Sequence, residues 1–207
     1  MSDSTNVPEL DLVVGSMITT RPEEDRAAYD EEYESVSEVQ DQLREEGIEV
    51  DLVGQPGTEV WESSIDTLGA LYQLSRLAVY LEHEKSIDEV LNEGPMIDDE
   101  LDRAVTDIWD ELVETRFPHL VNLQGINSYF IPADLVKPVG LAFENEDGED
   151  DSAYFGSSLQ LQKELTELEA LLRDANVPAQ SAAFHALEML RDAAAQSIQY
   201  ALPIIVW

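Results

Sequence analysis

The stretch Ser157-Ser-Leu-Gln-Leu-Gln-Lys-Glu-Leu-Thr-Glu-Leu-Glu-Ala-Leu-Leu-Arg173 decides the fold class. Ser157 and Gln160 have capping-box spacing, and Leu161, Leu165, Leu168 and Leu172 recur at four-three-four intervals. This is the pattern of an amphipathic helix with one buried stripe. Asn176-Val-Pro178 breaks the helix and Ser181 caps a second, lined by Phe184, Leu187, Leu190, Ala194 and Ile198. Pro203 ends that helix before Ile-Ile-Val-Trp, which reads as a closing strand.

Working outward, Leu101, Val105, Ile108 and Leu112 make a stripe that predicts a helix over about 98–115. A helix capped at Ser63 or Ser64 runs to about His83; it is apolar around most of its circumference, the mark of a central, buried element. A short helix is expected at Ile87–Leu91, and a longer one from Arg21-Pro22-Glu-Glu24 to about Glu46, ended by Gly47. Strands are expected at Leu10–Thr19, Ile48–Val53 and Ser128–Ile131. The expectation is an α+β fold, mainly helical (five or so helices) with a small sheet of short strands. Residues 1–8 read as a disordered tail and 9–207 as a single globular domain.

Composition sets the surface. Forty-five Asp and Glu face eleven Lys and Arg among 207 residues, a net charge of −34. Such a surface repels nucleic acid and anionic lipid. Apolar residues are 43% of the chain, enough for a core. With no cysteine, disulfides, thiol nucleophiles and cysteine-ligated metals are excluded. The start has no basic or apolar run of a signal peptide, and no stretch approaches the roughly twenty apolar residues of a membrane span. A soluble, cytoplasmic protein without membrane or nucleic-acid contact is expected.

The acids are unevenly placed. Residues 23–49 hold twelve, 82–114 hold thirteen and 144–151 hold six, whereas 115–143 hold one, Asp134. Spread evenly over the roughly 9,700 Å² of a protein this size, the charges would sit about 17 Å apart. That is beyond the ~8 Å Debye length at physiological salt, so clustering decides whether a field forms. Three readings follow. The acidity is an adaptation to concentrated salt, or a negative face for a basic partner protein of the kind an immunity protein or antitoxin meets, or carboxylates in place of the phosphates of a nucleic acid.

Catalytic patterns are sparse. His83, His119 and His185 lack the spacing of a helix-borne zinc site. The loop 144–151 fails as an EF-hand, because Gly148 at the sixth position places Phe143 first and Tyr154 twelfth. The chain holds no GxSxG, Walker A or GxGxxG motif. No cofactor or metal is expected, and a protein-binding role is favoured over an enzymatic one. An enzyme with an unrecognised site is the alternative. The local loss of acid density selects His119, Asn122, Tyr129 and Asp134 as a candidate binding site, because a surface that loses its charge is either buried or in contact.

Arg116-Phe-Pro-His-Leu-Val-Asn122 followed by Ser128-Tyr-Phe-Ile-Pro-Ala-Asp-Leu135 is similar to a pattern in a family of uncharacterised bacterial proteins. Gly156-Ser-Ser158 and Ser197-Ile-Gln-Tyr-Ala-Leu-Pro-Ile-Ile205 extend the resemblance over about the C-terminal ninety residues. It implies a small soluble cytoplasmic domain without assigned activity, some members being immunity-like. The chain departs from that pattern at Leu123-Gln-Gly-Ile126, where relatives carry a polar His-Ser-Asp stretch.

Overall fold

A computed structural model of the chain describes residues 10–97, 101–122, 128–144 and 150–207. The expected tail lies outside them. The fold is α+β. Its sheet has the order β2-β1-β6-β3-β5-β4, with β1 Leu10–Gly15, β2 Glu59–Ile65, β3 Ser128–Ile131, β4 Val139–Glu144, β5 Asp150–Ser157 and β6 Ile204–Val206. Among the described residues, only β3 and β5 pair in parallel, with Tyr129 opposite Phe155; the other four pairings are antiparallel. The closing strand β6 sits between β1 and β3, near the centre of the sheet.

One sheet face carries the main core. There Leu12, Val14, Ile65, Phe130 and Ile204 meet α2 (Leu68–Glu82), α6 (Ser158–Asp174) and α7 (Ala182–Tyr200). Each fully buried Leu, Ile or Phe contributes about 1.5–3 kcal/mol. The leucine stripe of α6 is buried, and Ser157 Oγ accepts from Gln160 N at 3.1 Å as the capping spacing predicts. α2 is buried at every position from Gly69 to Val79, as its all-round apolarity predicts. Three short helices, α3 (Asp88–Glu93), α4 (Arg103–Trp109) and α5 (Pro118–Val121), finish this side.

On the other face, α1 (Arg26–Glu45) lays Val36 and Leu43 with Ile18, Leu52, Ile131, Leu141, Ala153 and Phe155 in a second core. Its cap is Asp25, which accepts from Ala27 N and Ala28 N, so the helix begins four residues later than its proline suggested. Arg21 to Asp25 instead forms a turn closed by Glu24 N on Arg21 O at 3.0 Å.

Several expectations are corrected. Ile48–Val53 is no strand: Leu52 N bonds Gln40 Oε1 of α1 at 2.7 Å, and the alternating apolar residues face the second core without a ladder partner. The early edge strand is β2, within what read as the approach and first turn of the next helix; the true cap is Thr67. The helix expected over 98–115 is Arg103–Trp109, after which Glu111 takes φ 56° and Leu112 N turns back to Asp107 O. Residues 98–100 lie outside the described chain. β4 and β5 are unexpected as strands; they reach into the ends of the expected acidic loop 144–151 at Glu144 and at Asp150 and Asp151, and its residues 145–149 lie outside the described chain.

Candidate functional site

Two surfaces emerge, an acidic helix face and a cleft walled in part by the acid-poor segment. The first is the outer side of α1. Asp30, Glu34, Glu38, Asp41 and Glu45 are all exposed. At 3.6 residues per turn they fall within a sector of about 80°, centred roughly opposite Val36 and Leu43, and they span about 22 Å of helix axis. That is one carboxylate per about 5.6 Å of axis, against one phosphate per roughly 3.4 Å along a DNA strand. Neighbouring charges therefore lie inside the ~8 Å Debye length and act together. Arg26 pairs with Asp30 at 2.9 Å and Arg44 pairs with Asp41, one near each end of the row. No ion pair reaches Glu34, Glu38 or Glu45 among the described residues. Inward-facing Glu32 fixes the helix by accepting from Thr20 N at 3.0 Å and Thr20 Oγ1 at 2.7 Å.

The second surface lies across the sheet. A cleft of about 600 Å³ opens between the α4–α5 segment and β4. Its walls include Ile108, Trp109, Pro118, Val136, Pro138 and Tyr154. The acid-poor segment thus supplies much of the cleft. Trp109 Nε1 donates to Val121 O at 2.7 Å, which holds α4 against α5. Glu111 and Glu114 stand at the rim, and Lys137 pairs with Glu114 at 3.1 Å.

The four residues selected from sequence divide. His119 is buried: its Nε2 donates to Leu135 O and its Nδ1 accepts from Ser157 N, each at 3.1 Å. Burial pushes its pKa down to about 4 against the opposing bonds to Leu135 and Val136, so the ring is neutral and joins α5 to the start of α6. Asn122 lines the cleft while its Nδ2 donates back to Pro118 O at 2.8 Å. Tyr129 stacks on Phe155 at 5.1 Å, and burial raises its pKa. Asp134 is exposed and accepts from Gln160 Nε2. His119 lies on α5 and Asn122 caps its end, and of the two only Asn122 borders the cleft.

Sequence reasoning passed over Glu164. Its oxygens accept from His119 N at 3.1 Å and Leu120 N at 2.9 Å, capping α5 from a buried position. Burial raises its pKa to about 8 although both amides pull it down. The signal was present: residue 164 falls inside the leucine stripe of α6, a polar residue on an apolar face. Arg76 is a second omission. It pairs with Glu93 at 2.6 Å and Asp102 at 2.9 Å, tying α2 to α3 and the cap of α4. Burial opposes its charge, and the bonds to the two carboxylates outweigh that and raise its pKa.

Among the described residues, no group of three or more His, Asp or Glu is placed to hold a metal, and no helix is long and apolar enough to cross a membrane. A family model described as "Putative DNA-mimic protein" matches residues 8–206. No curated protein and no solved structure matches significantly. The family match spans nearly the whole chain, where the resemblance noted in the sequence covered only its C-terminal part.

Proposed function

The chain belongs to the DNA-mimic family, and from that premise we propose that it binds a basic, DNA-binding protein by presenting carboxylates where that protein expects phosphates. The observation that carries this is the row on α1: five exposed carboxylates on one side of a single helix, opposite its buried side and close enough to share a field. Among the three readings of the acidity, mimicry moves ahead of salt adaptation. A basic partner remains common to mimicry and to an immunity-type role. The row offers acceptors in a line, which Lys and Arg side chains arranged along a phosphate backbone are built to meet.

The test is competition. The immobilised chain is loaded with the DNA-cellulose-binding fraction of the source cell at constant ionic strength, and a 20-base-pair duplex is added. Release of the captured protein by the duplex is expected, with at least fivefold less capture by an E34Q/E38Q/E45Q variant. Capture insensitive to duplex, or undiminished in the variant, would sink the reading.

A further inference from the structure

We propose that the cleft between α4–α5 and β4 is a second docking surface, which seats an apolar side chain carried on a lysine- or arginine-rich protein segment. It is separate from the carboxylate row. In the β4–β5 pairing, Val139 opposite Phe155 and Leu141 opposite Ala153 face the α1 core. Gly140 opposite Tyr154 faces the other way, and both of these line the cleft. Strand alternation therefore puts the cleft and α1 on opposite faces of the sheet. The proposal does not depend on mimicry.

The apolar part of the occupant follows from what the cleft leaves in water. Val136 is 88% exposed at its wall, Leu112 is 70% exposed on the adjoining turn, and Val113 and Tyr154 are about 40% exposed beside them. Apolar residues gathered around a concavity, in a chain otherwise covered with carboxylate, mark a contact surface. The volume of about 600 Å³ accommodates a large side chain with its flanking backbone.

Its charge follows from the rim. Glu111 and Glu114 line it and are exposed, with Asp110 exposed on the same turn, against one lining cation, Lys137, which pairs with Glu114. Trp109 and Tyr154 also line the cleft, aromatic residues of the kind that attract a guanidinium or ammonium. An aliphatic or aromatic anchor flanked by basic residues fits these walls and this rim; an acidic segment does not.

Two synthetic nonapeptides test it, identical in their six Lys and Arg residues and differing only in a central Leu or Ser. Fluorescence anisotropy gives their affinities, and 15N NMR follows the Trp109 indole N–H and the Gly140 amide. The Leu peptide is expected to bind at least tenfold more tightly and to shift both signals. Val136→Asp, at a position too exposed to affect folding, should abolish the preference, and an unchanged Tm verifies that the fold persists. Equal affinities, a preference that survives Val136→Asp, or shifts confined to α1 would overturn the proposal. Binding that is indifferent to Leu or Ser and lost in the E34Q/E38Q/E45Q variant would overturn it while leaving mimicry standing. The Leu preference retained in that triple variant, with no release of partner by duplex, would do the reverse.

Discussion

Replacing Glu164 by Gln tests whether burial or hydrogen bonding governs the most enclosed carboxylate among the described residues. Its folded pKa of about 8 lies above the 4.5 of a free glutamate, so the native state binds the proton more tightly than the unfolded chain. Its contribution is therefore full below pH 4.5 and is lost as pH rises toward 8. The slope approaches 1.4 kcal/mol per pH unit, about 3 kcal/mol between pH 5 and pH 8. His119 has the opposite sign. Its folded pKa of about 4 lies below 6.5, so its contribution is full above pH 6.5 and is lost as pH falls to 4. The two slopes oppose each other between pH 4.5 and 6.5, and only that of Glu164 operates from 6.5 to 8. A glutamine keeps one acceptor for His119 N or Leu120 N and turns an NH2 toward the other, at a cost of about 1–3 kcal/mol. The variant is thus less stable than wild type at pH 5, draws level as pH rises, and equals or exceeds it at pH 8. Urea unfolding followed by tryptophan emission at constant ionic strength measures both curves. A gap that widens with pH would refute the reasoning, because it would mean that the two amides hold the carboxylate ionised.

Two other substitutions probe the scaffold behind the surfaces. Arg76→Met removes the cation from the part-buried carboxylate of Asp102, leaving it only Ala104 N as a donor, and frees Glu93; this should cost about 3 kcal/mol, or roughly 6–12 °C in Tm, and adding Asp102→Asn should restore part of it. Calorimetry showing no loss in the single variant would mean that the ion cluster does not hold α3 and α4 to α2. Gly69→Ala places a Cβ 2.5 Å from the carbonyl oxygen of Pro95, a backbone atom. It should destabilise by about 1–3 kcal/mol despite the ~1 kcal/mol helix preference for alanine; a rise in Tm would show that the 95–96 segment yields.

What could be read from the sequence was whatever local chemistry determines. The caps of α6 and α7, the leucine stripe, the burial of α2 and the strand at Ser128–Ile131 follow from spacing and side-chain type alone. The failures share a cause. Ile48–Val53 alternates and Glu59-Val-Trp-Glu-Ser-Ser-Ile65 does not, yet β1 pairs with the second, because a ladder partner distant in sequence decides; the first became a cover for the core under α1. β5 was hidden because its acidic start reads as loop. At the candidate site, the acid-poor segment supplies part of the cleft wall, Asn122 included, while Glu111 and Glu114 come from the acid-rich stretch before it. His119 was misassigned because a lone histidine before a leucine reads alike whether it faces solvent or, as here, bonds Leu135 O and Ser157 N inside. The cleft's other wall, Tyr154, comes from a strand that no periodicity announced.

The arrangement on α1, more than the total of −34, is what asks for an explanation. Four successive like-charge contacts at three- and four-residue spacing, 30/34, 34/38, 38/41 and 41/45, each destabilise a helix by about 0.2–0.5 kcal/mol at moderate salt. Solubility alone needs no such row, since separate charges about 17 Å apart provide it. In molar salt the Debye length contracts to ~3 Å, below the 5.6 Å spacing, and the row then neither strains the helix nor attracts a partner. Salt therefore acts in opposite directions on the two properties: stability rises with it and partner binding falls. A surface shaped only for concentrated salt would show the first response without the second. A surface shaped to stand in for a phosphate backbone gives up helix stability at low salt in exchange for a field that reaches its partner, and shows both.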